Sequence, residues 1–147
     1  AVSHDAADPI GINVFAGKDK ATVVTDTGVI SDSILRRMDD TTLLVLEANY
    51  DPHMPRFGPY QPFLKQRVAS DEGHLSNEMA AQALLMMNRP DFMQVILAHR
   101  SENNNNAVLV TQTIGKMLVD GGVRIGPEMK LQHGQPNEIV SMKSVKR

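Results

Sequence analysis

The stretch Ser76-Asn77-Glu78-Met79-Ala80-Ala81-Gln82-Ala83-Leu84-Leu85-Met86-Met87-Asn88-Arg89-Pro90, followed shortly by Val95-Ile96-Leu97-Ala98-His99, decides the fold class. Ser76 is a natural helix N-cap, because its hydroxyl accepts a hydrogen bond from an amide that the first turn leaves free. Glu78 places a carboxylate in that same turn. Met79, Ala80, Ala83, Leu84 and Met87 then recur at helical spacing and mark a face that packs inward. Asn88-Arg89-Pro90 stops the helix, since proline has no amide to continue it. The apolar run Val95 to Ala98 is too short for a buried helix and reads as a buried strand.

The same alternation continues on both sides. Downstream, Asn105 or Asn106 caps a helix whose apolar side is Ala107, Val110, Ile114 and Met117, ending at Gly121-Gly122. The tail from Val123 to Met142 reads as short strands separated by Gly126-Pro127 and Gly134-Gln135-Pro136. Upstream, Thr42-Leu43-Leu44-Val45-Leu46 is a continuous apolar run, expected of a strand covered on both faces. Ser31 to Met38 forms a short helix capped by Ser31 or Asp32. Ile12 to Phe15 and Thr22 to Thr25 form a hairpin around Gly17-Lys18-Asp19-Lys20. Asn49 to Gly73 is a long polar loop holding Pro52, Pro55, Pro59 and Pro62, and a loop of that length inside a compact domain is usually functional. Strand and helix in alternation imply an α/β layered architecture, a mixed sheet flanked by helices.

With 147 residues and no internal repeat or linker, the chain forms a single domain over residues 1–147. It contains no apolar run long enough for a membrane span and no secretory-signal pattern. No cysteine is present, so disulfide frameworks and thiolate metal sites are excluded and any metal must be held by His, Asp and Glu. That composition fits a reducing cytoplasm. Lys and Arg are scattered, giving no general basic patch for nucleic acid. Four Phe, two Tyr and no Trp are too few for a base-stacking platform. Bound metal ions can nonetheless supply local positive charge for a phosphate.

Three of the strands run into ionisable residues: Thr22–Thr25 into Asp26, Leu43–Leu46 into Glu47, and Val95–Ala98 into His99. Ligands of layered α/β proteins gather at the carboxyl ends of strands, where loops leave a rigid sheet. Asp26 and His99, read as lying on adjacent strand ends, are placed to converge on a cation.

Six segments, in order and covering nearly the whole chain, carry a family resemblance. They are Ser3-His4-Asp5-Ala6-Ala7-Asp8-Pro9, Thr25-Asp26-Thr27-Gly28, Leu46-Glu47-Ala48-Asn49-Tyr50-Asp51, Lys65-Gln66-Arg67-Val68, Gly73-His74-Leu75-Ser76-Asn77-Glu78 and Ala98-His99-Arg100-Ser101-Glu102-Asn103-Asn104. Together they resemble the WalJ family (also called YycJ or VicX) of metallo-β-lactamase-fold hydrolases, and more distantly ribonuclease Z. The resemblance implies the C-terminal half of a four-layer αββα fold. It also implies a site for two divalent metal ions, zinc or manganese, in the intact protein. His4, Asp26 and His99 match metal-binding motifs, and His74 matches the residue that protonates the leaving oxygen or steadies charge on the phosphate. Ser76, Asn77, Glu47 and Asn49 are candidates for substrate contact. The family's His-x-His-x-Asp-His run should lie upstream of His4 and is not in this sequence, which opens Ala1-Val2-Ser3-His4 as though within a domain. Metal occupancy of this chain by itself is accordingly expected to be partial or nil.

Each of these residues also has an ordinary structural reading. Asp26 can cap the Thr27-Gly28 turn, His99 can be hydrogen-bonded at a strand end, His74 can be a residue preceding a helix, and Glu47 and Asn49 can brace the long loop. His53 and His133 match no motif and read as solvated. Arg56, Lys65 and Arg67 read as a solvated loop that could line a phosphate groove. The expected function is metal-dependent phosphodiester hydrolysis, with DNA as the substrate. The alternative is a metal-free scaffold or interaction module that dimerises or binds a partner through exposed apolar surface.

Overall fold

The computed structural model of the chain describes residues 1–5, 9–54, 70–135 and 137–141. The Lys65–Val68 segment, Arg56, residues 6–8 of the first motif and prolines 55, 59, 62 and 136 lie outside these. Eight elements follow in order: β1 (Ile12–Ala16), β2 (Asp19–Val24), α1 (Asp32–Met38), β3 (Leu43–Glu47), α2 (Asn77–Met86), β4 (Met93–Ala98), α3 (Ala107–Asp120) and β5 (Met129–His133).

The hairpin turn is tighter than its sequence suggests. Phe15 pairs with Lys20 and Ala16 with Asp19, so only Gly17 and Lys18 remain in the loop. A two-residue loop of this kind needs positive φ at its first position, and Gly17 supplies φ 62. From β2 onward each strand returns parallel to its predecessor through a helix-bearing crossover, and the five strands lie in sequence order β1-β2-β3-β4-β5. The sheet is therefore mixed, with one antiparallel edge, as the sequence predicts. This architecture is consistent with half of a metallo-β-lactamase fold.

Parallel register lines up Thr22, Leu44 and Val95 in one row, and Val24, Leu46 and Leu97 in the next. All six are buried, and against these rows pack Ile34 and Met38 of α1, Ala80 and Leu84 of α2, and Val110, Ile114 and Leu118 of α3. Each large apolar side chain fully buried here contributes about 1.5–3 kcal/mol. The opposite face is different. Leu43, Val45 and Val23 are half-buried, while Ile12 and Val14 of the edge strand are exposed. The expectation that β3 is covered on both faces is therefore corrected: its side chains alternate, because the core helices occupy one face.

Both long helices begin where the sequence places their caps. The Ser76 hydroxyl accepts from the Met79 amide at 3.2 Å, and the Asn106 side chain accepts from Leu109 at 2.9 Å. The buried stripe of α3 is Val110, Ile114 and Leu118, not the row expected from Ala107, which is exposed; Met117 is half-buried. Strict i, i+4, i+8 spacing turns the stripe onto Leu118. In the tail, one strand forms among the described residues, β5, beside β4. No helix among the described residues is long and apolar enough to cross a membrane.

Candidate active site at the strand ends

Because β2, β3 and β4 are parallel, their carboxyl ends meet at one edge of the sheet, and each delivers an ionisable residue. Glu47 is the last residue of β3, His99 directly follows β4, and Asp26 lies two residues beyond β2. The sequence reading placed Asp26 and His99 on adjacent strands. The topology corrects this, since β3 lies between β2 and β4. They meet nonetheless, with His99 Nε2 3.7 Å from Asp26 Oδ1. Both have left-handed backbone, φ 55 at Asp26 and φ 53 at His99, which breaks the strand and takes the side chain out of the sheet's alternation. That conformation costs a residue with a Cβ about 1 kcal/mol or more.

Glu47 is the hub. Its side chain is fully buried; Oε1 accepts from His74 Nδ1 at 2.7 Å and from His99 Nδ1 at 2.8 Å, and Oε2 accepts from the Thr27 amide at 2.9 Å. A carboxylate can only accept, so both imidazoles carry their proton on Nδ1 and are left with Nε2 facing outward. Burial alone would raise the Glu47 carboxyl, but the hydrogen bonds from His74, His99 and Thr27 together hold it below its ordinary value. The Glu47 hydrogen bond raises His99 against the opposing effect of burial, with further help from the Glu47 and Asp26 charges.

His74 stands just ahead of α2 on a well-anchored segment. Leu75 beside it is fully buried, its carbonyl accepts from the Asn49 amide at 2.9 Å, and Ser76 bridges to Tyr50. His4 reaches the same surface from the first segment, which docks on the Thr27-Gly28 turn: Gly28 donates to the Ser3 carbonyl at 2.9 Å, and Ser3 donates to Thr27 Oγ1 at 3.2 Å. The His4 and His74 rings are 5.4 Å apart, and those of His74 and His99 4.9 Å. Gly28 has its own reason to be small. A Cβ there would sit 2.3 Å from the Ser70 carbonyl oxygen and 2.4 Å from that of Asp71, the loop leading to His74.

Two groups of donor atoms lie close enough to share a cation, each within 4.8 Å: His4, Asp26 and His74, and Glu47, His74 and His99. In the second group both Glu47 oxygens already accept hydrogen bonds, so we read Glu47 as the carboxylate that orients the histidines. His4 and Asp26 of the first group, with His99 Nε2 beside Asp26, offer nitrogen and carboxylate donors of the kind that divalent cations take.

The remaining expected site residues sit behind this surface. Asn49 is buried, and its side chain donates to the His99 carbonyl at 2.7 Å. Ser76 is spent on its cap, and Asn77 is fully buried between Asp51 and Asn105. Asn105 donates to the carbonyls of Ala48 and Asn49, both at 3.1 Å, and to Asn77 Oδ1 at 2.8 Å. Sequence reading saw Asn105 only as a possible cap; the signal available was its place in the Asn103–Asn106 run. His53 is solvated as expected, with 80% of its side chain exposed. His133 is not. It is half-buried at the end of β5 and bonded to Thr111. A cavity of about 290 Å³ under the hairpin, lined by Val2, Thr22, Ile34 and Met38 among others, holds none of these ionisable groups.

The fold and this cluster define an α/β protein with a histidine–carboxylate site at its strand ends. No family model matches the chain. It is 33% identical over 135 residues to exodeoxyribonuclease YycJ of Bacillus anthracis. It is also 32% identical over 136 residues to exodeoxyribonuclease WalJ of Streptococcus pneumoniae, in strains D39 and R6 alike. Each alignment takes in 92% of this chain and 51% of the relative. The chain is thus related to the WalJ/YycJ family across almost all its residues, as its six motifs imply, and spans about half the length of the curated relatives it matches.

Proposed function

We propose that this chain is the carboxy-terminal portion of a single metallo-β-lactamase-fold domain, and that the domain is a metal-dependent phosphodiesterase acting on DNA as an exonuclease. The observation that carries the reading is the pair of imidazoles aimed by one buried carboxylate, Glu47, beside Asp26 and His4. The exodeoxyribonuclease names of the relatives supply the reaction class.

His4, Asp26 and His99 are the residues that would hold divalent ions. Such ions, when bound, lend positive charge to phosphate oxygens and make water a stronger acid. The chain's own contribution is proton placement. Glu47 fixes the Nδ1–H form of His74, so the Nε2 of His74 is the nitrogen left to carry a proton to the departing oxygen. The α2 N-terminus, just behind His74, favours the phosphate's negative charge. Asn49 holds the His99 carbonyl and so its left-handed turn.

The test is metal content by mass spectrometry, followed by exonuclease assay, on a form of the protein that includes the His-x-His-x-Asp-His run. About two equivalents of zinc or manganese, lost in Asp26→Ala, with DNA degradation abolished in His74→Ala, is the expected result. No bound metal in that form would sink the hydrolase reading. A second reading, a scaffold or self-associating module, draws on the exposed Ile10, Ile12, Val14 and Phe15 at the β1 edge. Light scattering decides it, since a monomer at working concentration argues against self-association.

A further inference from the structure

Thr27 carries a hydroxyl that the proposed chemistry does not use, and it directly follows Asp26 in the chain. The residue is fully buried. Its hydroxyl has one proton, which it donates to the Val29 carbonyl at 2.9 Å. That bond closes a local turn of the kind threonine commonly makes. The lone pairs left over take the Ser3 amide at 3.2 Å, from a segment 24 residues away. Ser3 directly precedes His4, and its carbonyl accepts from the Gly28 amide at 2.9 Å. The backbones that carry His4 and Asp26 are thus joined at two points, and a side chain makes one of them.

The rest of the first segment is held from either side. Val2 is buried in the core, and the Asp5 amide donates to the Glu72 carbonyl at 3.2 Å, on the loop that leads to His74. Between these anchors the His4 ring stands 5.4 Å from that of His74, centroid to centroid. The Thr27 amide meanwhile pins Glu47 Oε2, and with it the carboxylate that aims His74 and His99. We infer that Thr27 is a positioning residue of the metal site, its hydroxyl setting where His4 stands relative to Asp26. The inference rests on the proposed reading of His4 and Asp26 as ligands and deepens it, by naming the residue that brings them together. Threonine suits the task better than serine, because its β-branch and full burial confine the hydroxyl to few rotamers.

The experiment compares the full-length protein with its Thr27→Val and Thr27→Ser variants. Valine keeps the shape and the backbone amide that Glu47 needs but has no hydroxyl, and serine restores it. Zinc affinity, measured by competition with a chromophoric chelator, should fall by roughly 10–100-fold in Thr27→Val, the usual cost of losing a partner that orients a ligand. Thr27→Ser should recover most of that loss. Ile114→Val, in the buried core of α3, is the control: it lowers stability and should leave zinc affinity unchanged. In the metal-free protein, the nuclear Overhauser contact between the His4 and His74 rings should be present in wild type and in Thr27→Ser. It should be lost in Thr27→Val, while His74 and His99 keep their protons on Nδ1. Unchanged zinc affinity in Thr27→Val overturns the inference, and so does a loss that Thr27→Ser shares in full or that Ile114→Val matches. Thr27→Ala, read by the same two measures, takes the place of a valine variant that does not fold. A wild-type protein that binds no zinc defeats the metal reading instead, and persistence of the ring contact in Thr27→Val then defeats the positioning role separately.

Discussion

Nδ1 of His99 donates to Glu47 Oε1 across 2.8 Å, and the same oxygen takes the Nδ1–H of His74 at 2.7 Å. One atom at the end of β3 therefore sets the tautomer and direction of two rings that are 25 residues apart in the chain. The other oxygen is pinned by the Thr27 amide, which leaves the carboxylate no freedom to rotate.

Glu47→Gln tests this directly. The amide nitrogen it introduces must face either the Thr27 N–H or two imidazole N–H groups, and either arrangement sets donor against donor. Urea unfolding should show a loss of about 1.5–3 kcal/mol, the range for hydrogen bonds to a charged group. Metal affinity should fall by roughly 10–100-fold, as for other carboxylates that orient a histidine ligand. Wild-type stability in the variant would mean that the carboxylate is not the organising group.

Stability of the chelated, metal-free chain should depend on pH in two directions. Glu47 is held below its ordinary 4.5, so its contribution is present above that value and is lost as pH falls through the depressed one. His99 is raised above its ordinary 6.5, so its contribution is complete below 6.5 and is lost as pH rises through the raised value. Thermal melts across pH should therefore peak between about 4.5 and 6.5. His99→Asn should flatten the alkaline side, because asparagine tolerates the left-handed backbone but has no proton to lose. An alkaline decline that survives this substitution would assign it to another group.

Gly28→Ala should act at a distance through backbone. The added methyl meets the Ser70 and Asp71 carbonyls, which are not side chains that can swing away. The loop from Ser70 to Gly73 must retreat and take His74 with it. A stability loss of about 1–3 kcal/mol, typical of overpacking, should come with a longer His74–Glu47 contact. A crystal structure of the variant with that distance unchanged would refute the coupling.

Asn105→Ala removes a donor that serves two carbonyls and an amide behind the site. Leaving buried polar groups unpaired should cost about 1–3 kcal/mol. Hydrogen exchange at the Ser101 amide, which bonds the Asn49 carbonyl at 2.8 Å, should quicken. Unaltered exchange would show that the loop is held by other contacts.

What could be read from the chain was mostly what repeats along it. The apolar runs at Leu43–Leu46 and Val95–Ala98, the Ser76 and Asn106 caps, and the acidic or histidine residue at each strand end are local signals, and each sits where the sequence puts it. The relationship between Asp26 and His99 was less legible, because strand order is a long-range property and the contact depends on two left-handed residues that no propensity announces. Glu47 could not be distinguished from an ordinary strand end, since its role exists only once His74 and His99 arrive from other crossovers. Asn77 and Asn105 look like surface residues in sequence and become buried partners only when α2 and α3 pack together. His133 was read as solvated because nothing nearby in sequence supplies Thr111.

The left-handed backbone at Asp26 and His99 also sets the molecule's evolutionary exposure. Glycine would occupy either position with less strain, so the fold by itself rewards losing the site, in the usual opposition between robustness and activity. A laboratory selection that scored only heat resistance or expression would be expected to erode position 26 first. There the side chain is half-buried and, among the described residues, meets His99 at 3.7 Å, so it matters for what it faces rather than for what it supports.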